Sequence, residues 1–375
     1  MKLGIIRLYC GNSGKKGFYN IQEIGLAKSL VKKGIDVDIF FLSSDIKEKY
    51  IIEEIEDNIR LITIKSKKIF NHGIISVNIL DEFNLDFIHL LSDNQLLAPN
   101  IINYCKKRKI PYYCYVGTIE SDSNNLIKKR IMDLLAKRNL YAYKGSKIIC
   151  KTDTIEEKLK SKGVMDTRVI PVGLDLDIIP KIDLPDDEIK NEFGIPKDDK
   201  LLLFVGRLEE YKNPLEFIEL MRYTSENSTE YKGIMIGNGS LKYKVIEKIK
   251  EYELENAILL IDKVNNKEIH KYYKISDAFI NLNNNEIFGM SILEAMYQGC
   301  PVIAHSAPGP NYIINSGENG FIIDNYDNKI WFNAIKDVIY NSNIKINARK
   351  KIVEELNWDK ISDEFIKLFD ELGGL

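Results

Sequence analysis

Short apolar runs alternate with longer amphipathic stretches along the chain, and each run has the length of one buried strand. The run at residues 3–9 is followed by a glycine-rich loop at 10–17, an amphipathic stretch at 20–33 and a second apolar run at 36–42. This order predicts a β-α-β unit with parallel strands, because the helix returns the chain to the same edge of the sheet. The strands predicted for this first half, with helices between them, are residues 3–9, 36–42, 58–64, 87–91, 111–116, 147–150 and 169–173.

A second alternating series begins near residue 201, after a stretch at 174–200 whose prolines and acids are typical of a linker. Its predicted strands are residues 201–205, 232–236, 257–261, 278–282, 301–304 and 320–323. An amphipathic helix at 358–372 ends the pattern. The predicted fold is therefore α/β, with two Rossmann-like doubly wound domains.

The predicted domains are residues 1–172 and 173–357, and we expect the terminal segment 358–375 to pack back on the first. A chain of 375 residues is too long for one ordinary core, which favours the same division. In doubly wound sheets ligands bind at the carboxyl ends of the strands. We therefore expect a site in the cleft between the two domains.

Charge is unevenly distributed although the net charge is only −2, which argues against nucleic-acid binding. Residues 1–172 carry 29 basic and 20 acidic side chains (+9), whereas residues 173–375 carry 24 and 35 (−11). The five cysteines, at positions 10, 105, 114, 150 and 300, lack metal-type spacing, which indicates reduced core thiols in a cytoplasmic protein. We expect neither a signal peptide nor a membrane span, since no stretch approaches the roughly 18 apolar residues of a spanning helix.

Two glutamates eight residues apart are the most informative chemical feature. Glu286 lies in a polar loop, and Glu294 lies inside a predicted helix that ends at Gly299. The amides around Gly289–Ser291 are expected at the helix N-terminus, where unpaired amides bind anions. This segment could hold a sugar, a diphosphate and a ribose, since carboxylates accept hydrogen bonds from hydroxyl groups. As an alternative, Ser291 and Glu294 form only a capping box, and Glu286 is a solvated loop acid.

Two basic residues follow the first strand of the second domain. Arg207 and Lys212 lie on a strand-to-helix loop, where both could reach one phosphate group, and the alternative is two solvated surface bases. Asn213 is predicted to cap the helix that Pro214 begins.

Two glycine-rich turns also follow predicted strands. The turn at Gly237–Gly239 is weak evidence for a nucleotide site by itself. The loop containing Gly14 fails the spacing of a phosphate-binding P-loop, so a simple β-α turn is the alternative to a loop that approaches a ligand.

These segments together resemble the retaining glycosyltransferases of family GT4, which have the GT-B fold. The resemblance covers essentially the whole chain and is densest from 169 to 323; it includes the E-x7-E signature at 286–294 and the GRL-x-x-x-K-N run at 206–213. It implies an acceptor-side first domain and a donor-binding second domain, and it implies no cofactor or metal ion. It also implies catalytic roles for Glu286, which would face the transferred sugar, and for Arg207 and Lys212, which would neutralise the leaving diphosphate. The nucleotide-sugar contacts that it implies are Gly14, Gly206, Arg207, Lys212, Gly237, Asn238, Lys263, Val264, Glu286, Phe288, Gly289, Met290, Ser291 and Glu294, of which Glu294 would hold the ribose.

One departure from the family concerns a histidine that contacts the transferred sugar in many members. The corresponding stretch here is Tyr115-Val116-Gly117-Thr118, which contains no histidine. His89, on the preceding strand, is the nearest candidate to replace it, and the alternative is an ordinary strand residue.

Basic clusters at 106–109, 128–130 and 137–138 could contact an anionic membrane surface. Apolar residues interleave with the later two clusters, as in a helix that lies on a bilayer. The alternative is an ordinary amphipathic helix that packs against the sheet.

The predicted function is therefore transfer of a sugar from a nucleoside diphosphate sugar to a glycan or lipid-linked acceptor, with retention of anomeric configuration. The enzyme would be cytoplasmic or peripheral on the cytoplasmic face of a membrane, in polysaccharide or glycoconjugate synthesis. Two alternatives stay open, namely a catalytically silent glycan-binding partner subunit and a sugar-nucleotide epimerase on the same fold. Two-carboxylate glycoside hydrolysis is disfavoured because Glu294 is assigned to the nucleotide.

Overall fold

A computed structural model describes residues 1–10, 22–119 and 126–374 of the chain. The predicted contact of Gly14 lies outside these residues. The chain divides into two compact units, one of Met1–Asp175 with Trp358–Leu375 and one of Leu176–Asn357. No described helix is both long enough and apolar enough to cross a bilayer.

In the first unit, eight of the described strands form one sheet in the order β10-β9-β8-β7-β1-β2-β4-β3. All neighbouring pairs are parallel except β3 and β4, and β5 pairs with β6 in a separate hairpin. The strands are β1 Lys2–Arg7, β2 Asp36–Ser43, β3 Tyr50–Glu56, β4 Ile59–Lys65, β5 Lys67–Ile69, β6 His72–Ile74, β7 Phe87–Leu91, β8 Tyr112–Val116, β9 Ile148–Cys150 and β10 Thr167–Val169.

In the second unit, six described strands form a fully parallel sheet in the order β13-β12-β11-β14-β15-β16. The central strands are buried on both faces, which explains their continuous apolar sequences. The strands are β11 Lys200–Val205, β12 Tyr231–Ile236, β13 Ile258–Ile261, β14 Ala278–Asn281, β15 Val302–His305 and β16 Gly320–Ile323.

Helices connect most of the parallel strands, and a 3₁₀ helix lies at Val77–Phe83 and another at Glu210–Lys212. The helices are α1 Gln22–Val31, α2 Ala98–Arg108, α3 Leu126–Tyr143, α4 Asp153–Ser161, α5 Asp186–Glu192, α6 Pro214–Asn227, α7 Lys242–Glu251, α8 Ile269–Ile275, α9 Met290–Tyr297, α10 Pro308–Ile313, α11 Asn328–Tyr340, α12 Ser342–Glu354 and α13 Trp358–Glu371.

Three sequence predictions about the fold were wrong. No helix joins β2 to β4, because the antiparallel strand β3 lies between them in the chain. β3 is an edge strand that is exposed on both faces, so its sequence lacks the alternation of apolar and polar residues that would predict a strand. The supposed linker at 174–200 contains α5, which Pro185 precedes and acids in the first turn favour. The last strand of the first unit, β10, ends at Val169, where the sequence predicted a strand to begin.

Helix α5 is part of the core of the second unit. Its Ile189 is fully buried, and Phe193 stacks on Tyr272 of α8 with ring centroids 4.3 Å apart. Lys271 of α8 also pairs with Glu192 at 2.7 Å. The second unit therefore includes α5 and does not begin only at β11.

The terminal helix α13 packs on the sheet of the first unit through its aromatic face. Phe365 is fully buried, with ring centroids 5.8 Å from those of His89, Tyr113 and Tyr115. At the start of α13, the hydroxyl of Ser29 on α1 donates to the carbonyl oxygen of Trp358 at 3.0 Å. Residues from the two ends of the chain thus form one core.

Phe365→Ala should lower the free energy of unfolding of the first unit by about 3–5 kcal/mol, because it leaves a cavity in this aromatic cluster. Chemical denaturation read by hydrogen exchange of the β7 and β8 amides measures this effect. Asp370→Ala, at an exposed position of the same helix, is the matched control and should change stability by less than about 0.5 kcal/mol. Equal stabilities of the two variants would show that α13 contributes little to this core.

Candidate active site at the switch point of the second unit

The strand order of the second unit reverses between β11 and β14. From β11 the chain proceeds to β12 and β13 on one side, and from β14 it proceeds to β15 and β16 on the other. The loops that follow β11 and β14 therefore leave the same edge of the sheet side by side and diverge. A doubly wound sheet binds ligands at such a point, because diverging loops leave a crevice at the carboxyl ends of the strands.

An ion pair joins these two loops. Nζ of Lys212, in the loop after β11, lies 2.6 Å from Oε2 of Glu286, in the loop after β14. The side chains are only 21% and 15% exposed. The alternatives of a solvated Lys212 and a solvated Glu286 are therefore wrong.

The surroundings of Glu286 favour its charged form. Burial would raise the pKa of the Glu286 carboxyl, but the nearby charge of Lys212 and hydrogen bonds from Lys212, Asn283 and Asn281 outweigh it and hold the pKa below its ordinary value. Nδ2 of Asn283 donates to Oε2 of Glu286 at 2.9 Å. The carboxylate is thus ionised at neutral pH, with its position set by donors from two loops.

The asparagines before Glu286 also shape the loop itself. Oδ1 of Asn281 accepts from the amide of Asn283 at 3.1 Å, and Oδ1 of Asn283 accepts from the amide of Asn285 at 3.0 Å. These are turns of the Asx type, in which the side chain replaces a backbone acceptor. Sequence reasoning missed this role, although four asparagines within five positions were a visible signal.

Arg207 presents its charge at the same edge of the sheet. Its guanidinium lies 5.4 Å from the ring centroid of Tyr211, and Nζ of Lys212 lies 5.6 Å from the same ring. Within the described ranges, no carboxylate forms an ion pair with Arg207, whose side chain is exposed. Arg207 can therefore bind an anion while Lys212 is held by Glu286.

The turn at Gly237–Gly239 is joined to the loop of Arg207 by backbone contacts. The amide of Leu208 donates to the carbonyl oxygen of Asn238 at 3.0 Å. A Cβ atom at Gly237 would lie 1.8 Å from the carbonyl oxygen of Gly206. Glycine is thus required here so that the two loops can approach, whatever else the turn binds.

Glu209 adds a side-chain clamp between these two loops that sequence reasoning missed. Its carboxylate accepts from the hydroxyl of Ser240 at 2.6 Å and from the amide of Ser240 at 3.0 Å. These hydrogen bonds lower the pKa of Glu209, and the charge of Arg207 adds to the effect.

Helix α9 begins at the crevice, at the end of the loop that follows β14. Gly289 is the N-cap residue, with φ of 100°, and Met290 and Ser291 are the first two helical residues. The proposed capping box is therefore wrong, because Ser291 lies two positions after the cap and Glu294 lies inside the helix. The first helical amides lack an acceptor within the helix and carry the positive end of its dipole.

The remaining predicted contacts occupy different positions along this edge. Glu294, in α9, and Phe288, just before it, are both buried, at 7% and 3% exposed. Lys263 and Val264 follow β13, two strands from β11, which places them about 10 Å along the sheet edge. Most of the predicted contacts therefore lie near the switch point between β11 and β14, whereas Lys263 and Val264 lie further along the sheet edge. The residues near the switch point are Gly206, Arg207, Lys212, Gly237, Asn238, Glu286 and the first residues of α9.

One further sequence prediction about this unit needs correction, and one contact was missed. Asn213 occupies the N-cap position of α6, but its side chain makes no capping hydrogen bond. Its Nδ2 donates instead to the carbonyl oxygen of Leu282 at 2.9 Å and to the hydroxyl of Tyr326 at 2.7 Å. Asn213 therefore ties the loop after β11 to the loop after β14, as Lys212 does. The amide of Gly309 in α10, which sequence reasoning missed, donates to the carbonyl oxygen of Glu286 at 3.0 Å.

His89 cannot replace the missing histidine of the first unit. Its side chain is 1% exposed beneath α13, and Nδ1 lies 2.5 Å from the hydroxyl of Tyr113. Burial, with a smaller contribution from the charge of Lys151, lowers the pKa of His89 to about 3, so it stays neutral. At the position of the missing histidine, the amide of Gly117 donates to Oδ1 of Asp93 at 2.6 Å.

The cysteines and the described acids form no metal site outside this crevice or within it. All five cysteines are buried free thiols. Across residues 1–10, 22–119 and 126–374, no group of three or more His, Cys, Asp or Glu residues could hold a metal ion.

Comparison with known proteins matches part of the chain to a family. Residues 185–356 match the model of the family described as glycosyl transferases group 1. An α-monoglucosyldiacylglycerol synthase of Streptococcus pneumoniae is 25% identical over 252 residues, which are 64% of this chain and 56% of that protein, so the chain spans little more than half the length of this relative. A UDP-Gal:α-D-GlcNAc-diphosphoundecaprenol α-1,3-galactosyltransferase of Escherichia coli is 29% identical over 271 residues, 68% of this chain and 69% of that protein.

A solved structure supports the same conclusion for the fold. The structure of HepE from Anabaena in complex with UDP and glucose superimposes with a TM-score of 0.71 at 17% identity, covering 99% of this chain and 100% of that one. The chain thus has the GT-B fold. Over residues 185–356 the chain is similar to the glycosyl transferases of group 1, in agreement with the family and fold that its motifs predict.

The Lys212–Glu286 pair can be tested by a double-mutant cycle of Lys212→Gln and Glu286→Gln. Lys212→Gln leaves the carboxylate without its counter-ion, and we expect a loss of about 1–3 kcal/mol of unfolding free energy, since water reaches both side chains in part. The coupling energy should be at least about 0.5 kcal/mol. Denaturation of the four proteins at neutral pH measures it.

The same cycle has a pH dependence with a defined sign. The pKa of Glu286 is lower in the folded protein, so the stability it contributes is present above its unfolded pKa and is lost as pH falls through its folded pKa. Glu286→Gln should remove this part of the acid sensitivity. Zero coupling and an unchanged pH profile would show that the pair does not form in solution.

Proposed function

We propose that the protein transfers a hexose or N-acetylhexosamine from a nucleoside diphosphate sugar to a glycan or lipid-linked acceptor, with retention of anomeric configuration. The proposal rests on one observation about the switch point of the second sheet. Arg207, the Lys212–Glu286 ion pair and the first amides of α9 all lie there. The names of the two relatives describe a glycolipid synthase and a transferase that uses UDP-galactose and a diphosphate-linked lipid. The solved structure of HepE holds UDP and glucose.

The chemical requirement is to stabilise the leaving nucleoside diphosphate. Breaking the bond between the sugar and the diphosphate increases negative charge on the phosphate oxygens, and preorganised positive groups lower the energy of that state. Arg207 offers a planar fork of donors, Lys212 a point charge, and α9 two amides with the dipole behind them. In this proposal they neutralise the leaving group without a divalent cation.

Glu286 has a different role in the proposed reaction. Its carboxylate is held in place by Lys212 and Asn283, so it can accept hydrogen bonds from the hydroxyl groups of the donor sugar without reorganising. Its charge also limits how strongly Lys212 binds the diphosphate before reaction. Glu294 would bind the ribose hydroxyls from its buried position in α9.

The place of action follows from the acceptor. A lipid-linked acceptor is confined to a bilayer, so we place the enzyme in the cytoplasm with peripheral contact to a membrane, in the synthesis of a surface polysaccharide or glycoconjugate. The nucleotide sugar is a water-soluble substrate and reaches the enzyme from the aqueous side.

A panel of UDP-, GDP- and ADP-sugars tests this function directly. One nucleoside diphosphate should raise the melting temperature, and the matching sugar donor should be hydrolysed slowly or transferred to an acceptor, with chelator causing no loss. NMR of the first-formed product should show the anomeric configuration of the donor. Absence of any nucleotide stabilisation would favour a silent subunit, and an isomerised nucleotide sugar would favour an epimerase.

Arg207→Ala should weaken the affinity for the nucleoside diphosphate about 10- to 100-fold, because a hydrogen bond to a charged group contributes about 1.5–3 kcal/mol. Glu286→Gln should keep most of this affinity and lose turnover. Calorimetric titration of the diphosphate and a donor-hydrolysis assay separate the two effects.

Arg222→Ala is the matched control for this experiment, since Arg222 lies on α6 of the same unit and pairs with Glu226 at 2.9 Å. Its affinity should equal that of the unmodified protein. If Arg207→Ala binds as tightly as this control, the phosphate role of Arg207 is wrong.

A further inference from the structure

The first unit carries a strongly basic surface on two neighbouring helices. Helices α2 and α3 pack side by side and bring together clusters that are separate in the sequence. Residues 98–109 and 126–147 contain eleven basic residues and a single acidic one, Asp133. We call the described part of this region the α2–α3 surface, with Lys106, Arg138, Tyr141 and Lys144 at its centre.

A cavity of about 460 Å³ opens at this centre, between the two helices. Lys106, Arg138 and Lys144 line it, and no carboxylate is among its described lining residues. Ile102 and Ala142 contribute apolar wall. The cavity thus offers positive charge next to apolar surface, which suits an anionic head group attached to a hydrocarbon chain.

The charges of the cavity are not neutralised by neighbouring acids. The guanidinium of Arg138 donates to Oδ1 of Asn100 at 2.7 Å and to the carbonyl oxygen of Leu96 at 3.3 Å, both uncharged acceptors. Among the described residues, no ion pair is found for Lys106 or Lys144. By contrast, the nearby Arg108 pairs with Asp81 at 2.6 Å. The net positive charge therefore remains available to a ligand.

An aromatic side chain stands at the rim of the cavity. Tyr141 is 82% exposed. Tyrosine is enriched where a protein meets the membrane interface, because its ring enters the apolar region while its hydroxyl stays hydrated.

We propose that the α2–α3 surface binds a bilayer of anionic phospholipids, with a lipid phosphate in the cavity and Tyr141 in the interface. The biological purpose of this membrane contact, which is to bring the enzyme to a lipid-linked acceptor, rests on the function proposed above. The evidence for the surface itself does not depend on that function. A bilayer fits better than a nucleic acid, since the described aromatic residues of this surface form no series on which bases could stack.

Flotation of the full chain with vesicles tests this surface. The protein should float with phosphatidylcholine vesicles that contain phosphatidylglycerol, should not float with pure phosphatidylcholine, and should be released by high salt. Lys106→Ala/Lys144→Ala should weaken the partitioning about 30-fold, at about 1 kcal/mol for each lysine near an anionic surface. Adding Tyr141→Ser should weaken it further.

The matched control is Tyr243→Ser/Lys244→Ala/Lys250→Ala, which removes an 86%-exposed tyrosine and two exposed lysines from the second unit. It should float like the unmodified protein. The proposal is overturned if the control and the α2–α3 variant float equally, if binding ignores phosphatidylglycerol, or if the protein binds an oligonucleotide in place of vesicles.

A parallel thermal shift with nucleoside diphosphate keeps this result separate from the enzymatic function. An α2–α3 variant that loses vesicle binding but keeps its nucleotide shift supports the surface. If the protein shows the nucleotide shift but never floats, only the proposed membrane binding by the α2–α3 surface is contradicted. A protein that floats without any nucleotide shift contradicts the proposed function alone.

Discussion

The ion pair between Lys212 and Glu286 is the interaction on which the candidate active site depends. It joins the loops that follow β11 and β14, the two strands between which the order of the sheet reverses. Asn213 adds a second connection between the same loops, through the carbonyl oxygen of Leu282. The crevice is therefore held in shape by contacts inside the protein, which spares a bound donor the cost of ordering it.

The ion pair also gives the two basic residues, Lys212 and Arg207, different electrostatic surroundings. Lys212 is partly neutralised by Glu286, whereas Arg207 has no carboxylate partner among the described residues and stacks near Tyr211. An incoming diphosphate would therefore find one uncommitted cation and one cation shared with a carboxylate. Glu286 keeps its charge because Lys212 and its hydrogen-bond donors outweigh the cost of burial, as its proposed contact with sugar hydroxyls requires.

The first unit has a different distribution of chemistry. Its buried histidine, His89, belongs to an aromatic cluster that Phe365 of α13 completes, so packing has removed it from any role in proton transfer. The basic residues of this unit lie on α2 and α3, on a surface separate from that cluster. In our proposals, the basic residues after β11 serve a nucleotide and those of the α2–α3 surface serve an anionic bilayer.

The sequence by itself determined the alternation of strands and helices, the family and the set of charged residues after β11 and β14. These features are local, because buried parallel strands need apolar runs and diphosphate sites need bases and helix ends near strand ends. It missed β3, since an edge strand exposed on both faces has no alternation of buried and exposed residues, and it treated α5 as a linker because of its acids and the prolines on either side. Only the tertiary structure decided that Lys212 meets Glu286, that Asn213 bridges loops instead of capping α6, and that His89 is buried. Those contacts join residues far apart in the chain, and no local pattern records which of them pair.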